Sequence, residues 1–277
     1  MRRNSALGVA VSCLAVLGAA AGQASSVADP GPPDHVVIVV MENKRYDAVI
    51  GHSRTPYITG LAARGANFTA AYGETHPSQP NYLALFSGST QGVTDNHCGH
   101  TFTGVPNLAR QLLDAGRTFA GYSEDLPSVG WTGCADGVYV RRHNPWVNFD
   151  NVPASANRPL RDLPADYRLL PTVSFVIPGL CHDMHDCPKS DADAWLRAML
   201  DGYIGWAERH NSLLVLTFDE DNRTDGNHIP TVVLGGHVAA GDRPERIDHY
   251  SILRTIQQWY GLPPLGESAG RAPLQLR

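Results

Sequence analysis

His35-Val36-Val37-Ile38-Val39-Val40-Met41 is an apolar run that stops abruptly at Glu42-Asn43. Its residues are mostly β-branched, and no polar residue alternates with them. A strand of this kind is buried on both faces, as in a parallel sheet covered by helices. The same design returns at Leu213-Leu214-Val215-Leu216-Thr217-Phe218, which runs into Asp219-Glu220-Asp221-Asn222. Two greasy strands ending in acids set the frame for the rest of the chain.

Outward from these strands, helical and extended patterns alternate. The spacing predicts a helix over 57–64, a strand over 66–72, and a helix opened by Ser78 and stopped near Gly88. A helix is expected over 105–115, closed by Gly116, with strands at 118–122 and 172–177. Ser190 is expected to cap a long amphipathic helix carrying Trp195, Leu196, Met199, Leu200, Tyr203 and Trp206. A strand at 231–234 and a helix at 249–260 follow. Such alternation implies an α/β fold, a mostly parallel sheet with helices on both faces, whose ligands bind at the carboxyl ends of the strands. No repeat and no second domain is visible. The stretch 123–167 is rich in Gly, Pro, Asn and aromatics and reads as a loop-rich cap or substrate wall, or as a surface excursion stapled by Cys134.

The chain of 277 residues begins with Arg2-Arg3, an apolar run to Ala21 and small residues. This is the pattern of an export signal, 1–28, with the functional domain at 29–277. The run is short for a stable membrane span. Export makes the protein secreted and places it in an oxidising compartment. Four of the five cysteines lie beyond the signal: Cys98, Cys134, Cys181 and Cys187. Their even number reads as two disulfides with three pairings open, and a four-cysteine zinc site is the competing reading. The net charge is −5, without a basic stripe, which argues against a nucleic-acid partner.

Chemistry gathers at the strand ends. Glu42, Asn43, Asp219, Glu220 and Asp221 offer hard oxygen ligands suited to Mg²⁺, Ca²⁺ or Mn²⁺. Ser78, in His76-Pro77-Ser78-Gln79-Pro80-Asn81, reads as an N-cap and equally as a nucleophile among free backbone N–H groups. The amide of Asn81, on the same first turn, is placed to touch a phosphate oxygen. His182-Asp183-Met184-His185-Asp186 reads as a second metal site, a phosphate-binding wall or a plain polar loop. His228 is a further metal or phosphate candidate, and His249 caps the last helix. No Gly-x-Ser-x-Gly elbow, Walker loop, dinucleotide fingerprint or His-Glu-x-x-His is present. An ion beside a hydroxyl nucleophile points to phosphate-ester chemistry.

At these residues the chain resembles the bacterial phosphoesterases that include secreted acid phosphatases and phospholipases C, within the alkaline phosphatase superfamily. The matching segments are residues 35–47, 75–88, 175–196, 217–235 and 249–266. The resemblance implies an alkaline-phosphatase-like three-layer αβα sandwich. It implies that Glu42, Asn43, Ser78, Asp219 and Glu220 surround a divalent metal ion, with Ser78 as the nucleophile. Asp183, His185, Asp186 and His228 are the candidates for the further ligands that two-metal superfamily members carry. Lys44-Arg45-Tyr46-Asp47 stands where the family often has Arg-Ser-Phe-Asp, and Asp219-Glu220 where a two-zinc site would use Asp-Asp or Asp-His, so one metal is expected rather than two zinc ions. The implied activity is hydrolysis of phosphate monoesters, soluble or lipid. The alternatives are a phospholipase C-type diesterase and a secreted binding protein without catalysis.

Overall fold

The computed structural model describes residues 31–277 and, before them, only Met1 and Asn4. The export signal read at 1–28 lies outside the described residues.

Among the described residues, twelve strands and five α-helices follow in order. The strands are β1 (His35–Met41), β2 (Ala66–Phe68), β3 (Ala71–Tyr72), β4 (Phe119–Ser123), β5 (Ala135–Asp136), β6 (Tyr139–Val140), β7 (Asn157–Pro159), β8 (Val173–Ile177), β9 (Ser212–Phe218), β10 (Thr231–Gly235), β11 (Gly241–Arg243) and β12 (Ile247–Asp248). The helices are α1 (Pro56–Arg64), α2 (Ser78–Ser87), α3 (Leu108–Asp114), α4 (Lys189–Ala207) and α5 (His249–Trp259). Eight strands form one sheet in the order β11-β2-β10-β9-β1-β8-β4-β7. The five from β9 to β7 are all parallel, and β10 runs antiparallel to both β9 and β2.

The two apolar runs are the centre of this sheet. β1 lies between β9 and β8, in a register that pairs Met41 with Phe218 and Val39 with Val176. Helices α1 and α4 pack on each other and on β10, while α2, α3 and α5 pack together with β4. The result is the mostly parallel sheet with helices on both faces that the alternation implied, and the three-layer αβα sandwich that the resemblance implied. Because both faces are covered, every residue of β9 and all but the first of β1 are buried. Apolar side chains there need no alternation.

Several boundaries differ from the sequence expectation. The strand expected over 66–72 is broken into β2 and β3. The helix expected from 105 begins at Leu108, because Asn107 accepts from the Arg110 N–H and caps it. Pro188, not Ser190, precedes α4, and the Ser190 hydroxyl donates to Asp191 instead. His249 is the first residue of α5 rather than its cap. Asp248 caps it, in a reciprocal arrangement with Ser251. The stretch 123–167 is part of the domain body: β7 adds a strand to the main sheet, and Trp146 is buried against Phe86, Phe119 and Phe175. The cysteines pair as Cys98–Cys134 and Cys181–Cys187.

Candidate active site

Three neighbouring parallel strands each deliver an acid to the same edge. β1 ends at Glu42, β9 at Asp219, and the turn after β8 brings Asp183. Backbone hydrogen bonds stitch these tips together: Glu42 N donates to Asp183 O at 2.8 Å, and Asp219 N to Met41 O at 2.9 Å. The chain then turns at Asn43, whose φ of 54° is a conformation that asparagine tolerates better than most residues. That turn aims the Asn43 N–H at Asp219 Oδ1, 3.0 Å away. The Asn43 amide donates to Glu42 Oε2 at 2.8 Å.

Ser78 reaches this cluster from α2. Every residue of α2 is buried, so the helix threads the molecule instead of lying on it. Ser78 is its first residue and not its N-cap. The Asn96 side chain satisfies the Gln79 N–H at 2.9 Å, which leaves the serine hydroxyl free. Ser78 Oγ donates to Glu42 Oε2 at 3.0 Å. One turn later on the same face, Tyr82 OH donates to Glu42 Oε1 at 2.7 Å. Glu42 is thus held at both oxygens and is fully buried.

The segment before α2 is braced by two asparagines. Asn81 Oδ1 accepts from the N–H groups of Glu74 and Thr75, and its Nδ2 donates to Thr75 O at 2.8 Å and to Glu220 Oε2 at 3.4 Å. Asn227 donates to Thr75 O and accepts from Asp221 N at 2.7 Å. Gly73 allows the close approach. A Cβ there would stand 2.6 Å from Asp219 O. His76 closes the row, 2.9 Å from Glu220 Oε2 and 3.2 Å from Asp221 Oδ1.

The electrostatics follow from burial. Desolvation, together with the nearby Glu42 charge, raises Asp219 well above the usual carboxylate range, with hydrogen bonds from Asn43 and Ser78 working against it. Burial and Glu42 likewise push Asp183 and Glu220 up to about 8. His143, buried in the same place, is pushed down to about 4 chiefly by desolvation. Lys44 is the near cation, and its Nζ donates to Met184 O at 2.7 Å. The crowded acids therefore keep their protons to higher pH than free carboxylates do.

The expected ligand set divides. Glu42, Asn43, Ser78, Asp219 and Asp183 come together, with Asn81 and Glu220 beside them. His185 pairs with Asp186 on the half-exposed part of the disulfide loop, and its N–H donates to Asp183 Oδ1 at 2.7 Å. His228 sits in a stack between Tyr46 and Tyr72, with its ring nitrogens at Asp225 and Thr69 O. Neither histidine's ring reaches Ser78. Two residues absent from the expected set are present instead. Tyr82 was legible as the residue four after Ser78. His143 was expected only as part of the substrate wall in the 123–167 stretch: it stacks on Tyr82 at 5.0 Å, and lies 3.1 Å from Glu42 Oε1 and 3.6 Å from Asp183 Oδ2.

The donor set fits a hard cation. Asp219 Oδ2 and Asp183 Oδ2 are buried without a hydrogen-bond partner, an arrangement that normally costs stability. Two carboxylates, an amide and a hydroxyl around Glu42 are oxygen ligands of the right hardness. Among the described residues, no three His, Cys, Asp or Glu side chains surround one point ready-made. Asn43 and Ser78 are needed to complete the set.

Comparison with known proteins identifies the family. Residues 52–263 match the Phosphoesterase family. A phosphatidylinositol-3-phosphatase of Mycobacterium tuberculosis is 50% identical over 242 residues, which are 87% of this chain and 81% of that protein. A probable acid phosphatase of Kluyveromyces lactis is 31% identical over 260 residues, 85% of this chain and 60% of that one. A solved alkaline phosphatase superfamily protein of Vibrio parahaemolyticus superposes with a TM-score of 0.57 at 14% identity, over 88% of this chain and 71% of that one, a likeness of fold. The chain belongs to the phosphoesterase family and is a phosphoric ester hydrolase.

Proposed function

We propose that the protein is a secreted phosphomonoesterase in which Ser78 is the nucleophile. The observation that carries the reading is the Ser78–Glu42 hydrogen bond at the carboxyl edge of the sheet. A hydroxyl on the first turn of a buried helix, donating to a buried carboxylate, has one ready proton acceptor. Ser78 Oγ attacks phosphorus in line and its proton passes to Glu42 Oε2. The P–O bond to the alcohol breaks, and the alcohol leaves with a proton from solvent. Water then attacks the phosphoserine, the P–O bond to Ser78 breaks, Glu42 returns its proton to Ser78 Oγ, and phosphate leaves.

Glu42, Asn43, Ser78, Asp219 and Asp183 are the residues that would hold a divalent ion, with Glu220 adjoining. Such an ion supplies charge neutralisation for the phosphoryl oxygens and acidifies the serine hydroxyl. Tyr82 fixes the second Glu42 oxygen, with the His143 ring packed beside it. Asn81 and Asn227 hold the 73–77 segment, so Ser78 is positioned by a braced backbone.

The relative named phosphatidylinositol-3-phosphatase supports a phosphoinositide monoester as one substrate. Two disulfides suit an oxidising compartment and support export. No helix among the described residues is long and apolar enough to cross a membrane. The test is p-nitrophenyl phosphate turnover by wild type and Ser78→Ala, each with and without EDTA. Turnover that requires Ser78 and falls with EDTA is expected. Retained activity in Ser78→Ala would refute the nucleophile, and inactivity of wild type on the monoester would favour the diesterase.

A further inference from the structure

Beside the catalytic row a second cleft opens, of about 470 Å³, lined by Glu74, Thr75, His76, Asp221, Arg223 and Asn227. It shares His76 with the site, since that ring faces Glu220 and Asp221. His76 stands two residues before Ser78, so the cleft opens beside the segment that carries the nucleophile.

Arg223 is the cation of that cleft. It is exposed, and among the described residues its guanidinium makes no hydrogen bond or ion pair, although acids stand on both sides. Its backbone is fixed. Arg223 adopts φ 63°, and its N–H donates to Asp221 Oδ1 at 2.6 Å. Asp221 Oδ2 accepts from the N–H groups of Thr224, Asp225 and Asn227, and the Asn227 side chain ties this loop to Thr75. The charge reaches the site: burial first and Arg223 second hold His76 below its usual range, and Arg223 opposes the burial and the Glu42 charge that raise Glu220. Asp221 repels an anion and Glu74 keeps its proton up to about pH 8, so Arg223 is the cation there that can attract one.

We propose that Arg223 and the cleft it guards bind a second anionic group carried by the leaving group, so that Arg223 sets substrate preference. This rests on the monoesterase reading above. The chemistry is a phosphate separated from the scissile one by a polyol. Two sources share it: a soluble bisphosphate, and the diester phosphate of an inositol-lipid headgroup. A guanidinium presented from a braced loop suits such an oxyanion better than an ammonium does.

The experiment compares kcat/KM within two substrate pairs, for wild type, Arg223→Gln and Arg223→Lys. One pair is fructose 1,6-bisphosphate against fructose 6-phosphate. The other is soluble dibutanoyl phosphatidylinositol 3-phosphate against inositol 3-phosphate. Wild type is expected to favour the doubly charged member of at least one pair. Arg223→Gln is expected to lower that preference about tenfold, through KM, with Arg223→Lys between the two. The preference should also shrink with added salt. A fall in either pair supports the subsite and identifies its source. A preference unchanged by Arg223→Gln in both pairs overturns it. A wild type that releases no phosphate from p-nitrophenyl phosphate would instead defeat the monoesterase reading itself.

Discussion

Two groups of three acids in this molecule use the same chemistry in opposite ways. Glu42, Asp183 and Asp219 stand at the tips of the central strands, at most 1% exposed. Asp95, Asp186 and Asp225 stand on loops, and each is at least 44% exposed at its side chain. Each outer acid has a histidine beside it: His97, His185 and His228 respectively. The inner three crowd one another, and two of them keep an oxygen with no hydrogen-bond partner. Exposed pairs of the outer kind contribute little to stability. Buried, unneutralised acids of the inner kind are retained against a cost in stability, and a catalytic site is where such a cost is expected.

The sharpest way to break the contrast is substitution at fixed shape. Glu42→Gln should lower kcat/KM on p-nitrophenyl phosphate by about 10³-fold, because it removes the Ser78 acceptor and a proposed ion ligand together. Asp186→Asn should leave it within roughly threefold, since that carboxylate faces solvent and its own neighbour. Equal losses would erase the distinction.

Stability should move the other way. Asp219→Asn removes a buried charge, so the metal-free protein should gain roughly 1–3 kcal/mol at pH 8 by denaturant titration while losing turnover. Asp186→Asn should shift stability by less than about 0.5 kcal/mol.

A pH series sharpens the same point. Asp183, Glu220 and, through burial first and Asp248 second, Glu74 are each pushed up to about 8. Their folded values lie above the unfolded ones, so the folded state binds more protons between about pH 4 and pH 8. Their stabilising contribution is full below about pH 4 and is lost as pH rises through about 8. The metal-free protein should therefore melt several degrees lower at pH 8 than at pH 5. A divalent cation should reduce that difference by competing with the protons. A melting temperature independent of pH and of cation would contradict the reading.

Among substitutions in the buried cluster, Tyr82→Phe should cost activity least. It leaves Glu42 Oε1 without its shortest donor, at an expected cost of about 1–3 kcal/mol in stability and roughly tenfold in kcat. Unchanged kcat would show that the serine contact alone holds Glu42.

The fold was legible because the signal is local. Val36–Met41 and Leu213–Phe218 announce a doubly covered sheet without reference to anything distant. Glu42, Asn43 and Asp219 were legible for the same reason, as polar residues at the ends of apolar runs, and Ser78 as a hydroxyl that opens a helix. What was not legible depended on tertiary contact. His143 lies 101 positions from Glu42 in the chain and meets it only because α2 presents Tyr82 for the ring to stack on. The role of Ser78 as helix cap was also misread locally, because Asn96, eighteen residues on, takes that role. His228 and His185 were singled out by residue type alone. Their neighbours, Tyr46, Tyr72 and Asp186, decide where they sit.

The central claim is that phosphate passes through Ser78. The direct measurement is acid quenching of the enzyme during p-nitrophenyl phosphate turnover, followed by mass spectrometry of the peptide that contains Ser78. The account predicts a phosphorylated Ser78 that forms with substrate and is absent in Ser78→Ala, which does not turn over. Continued turnover in Ser78→Ala, with no phosphate found on Ser78 of the wild type, would contradict it.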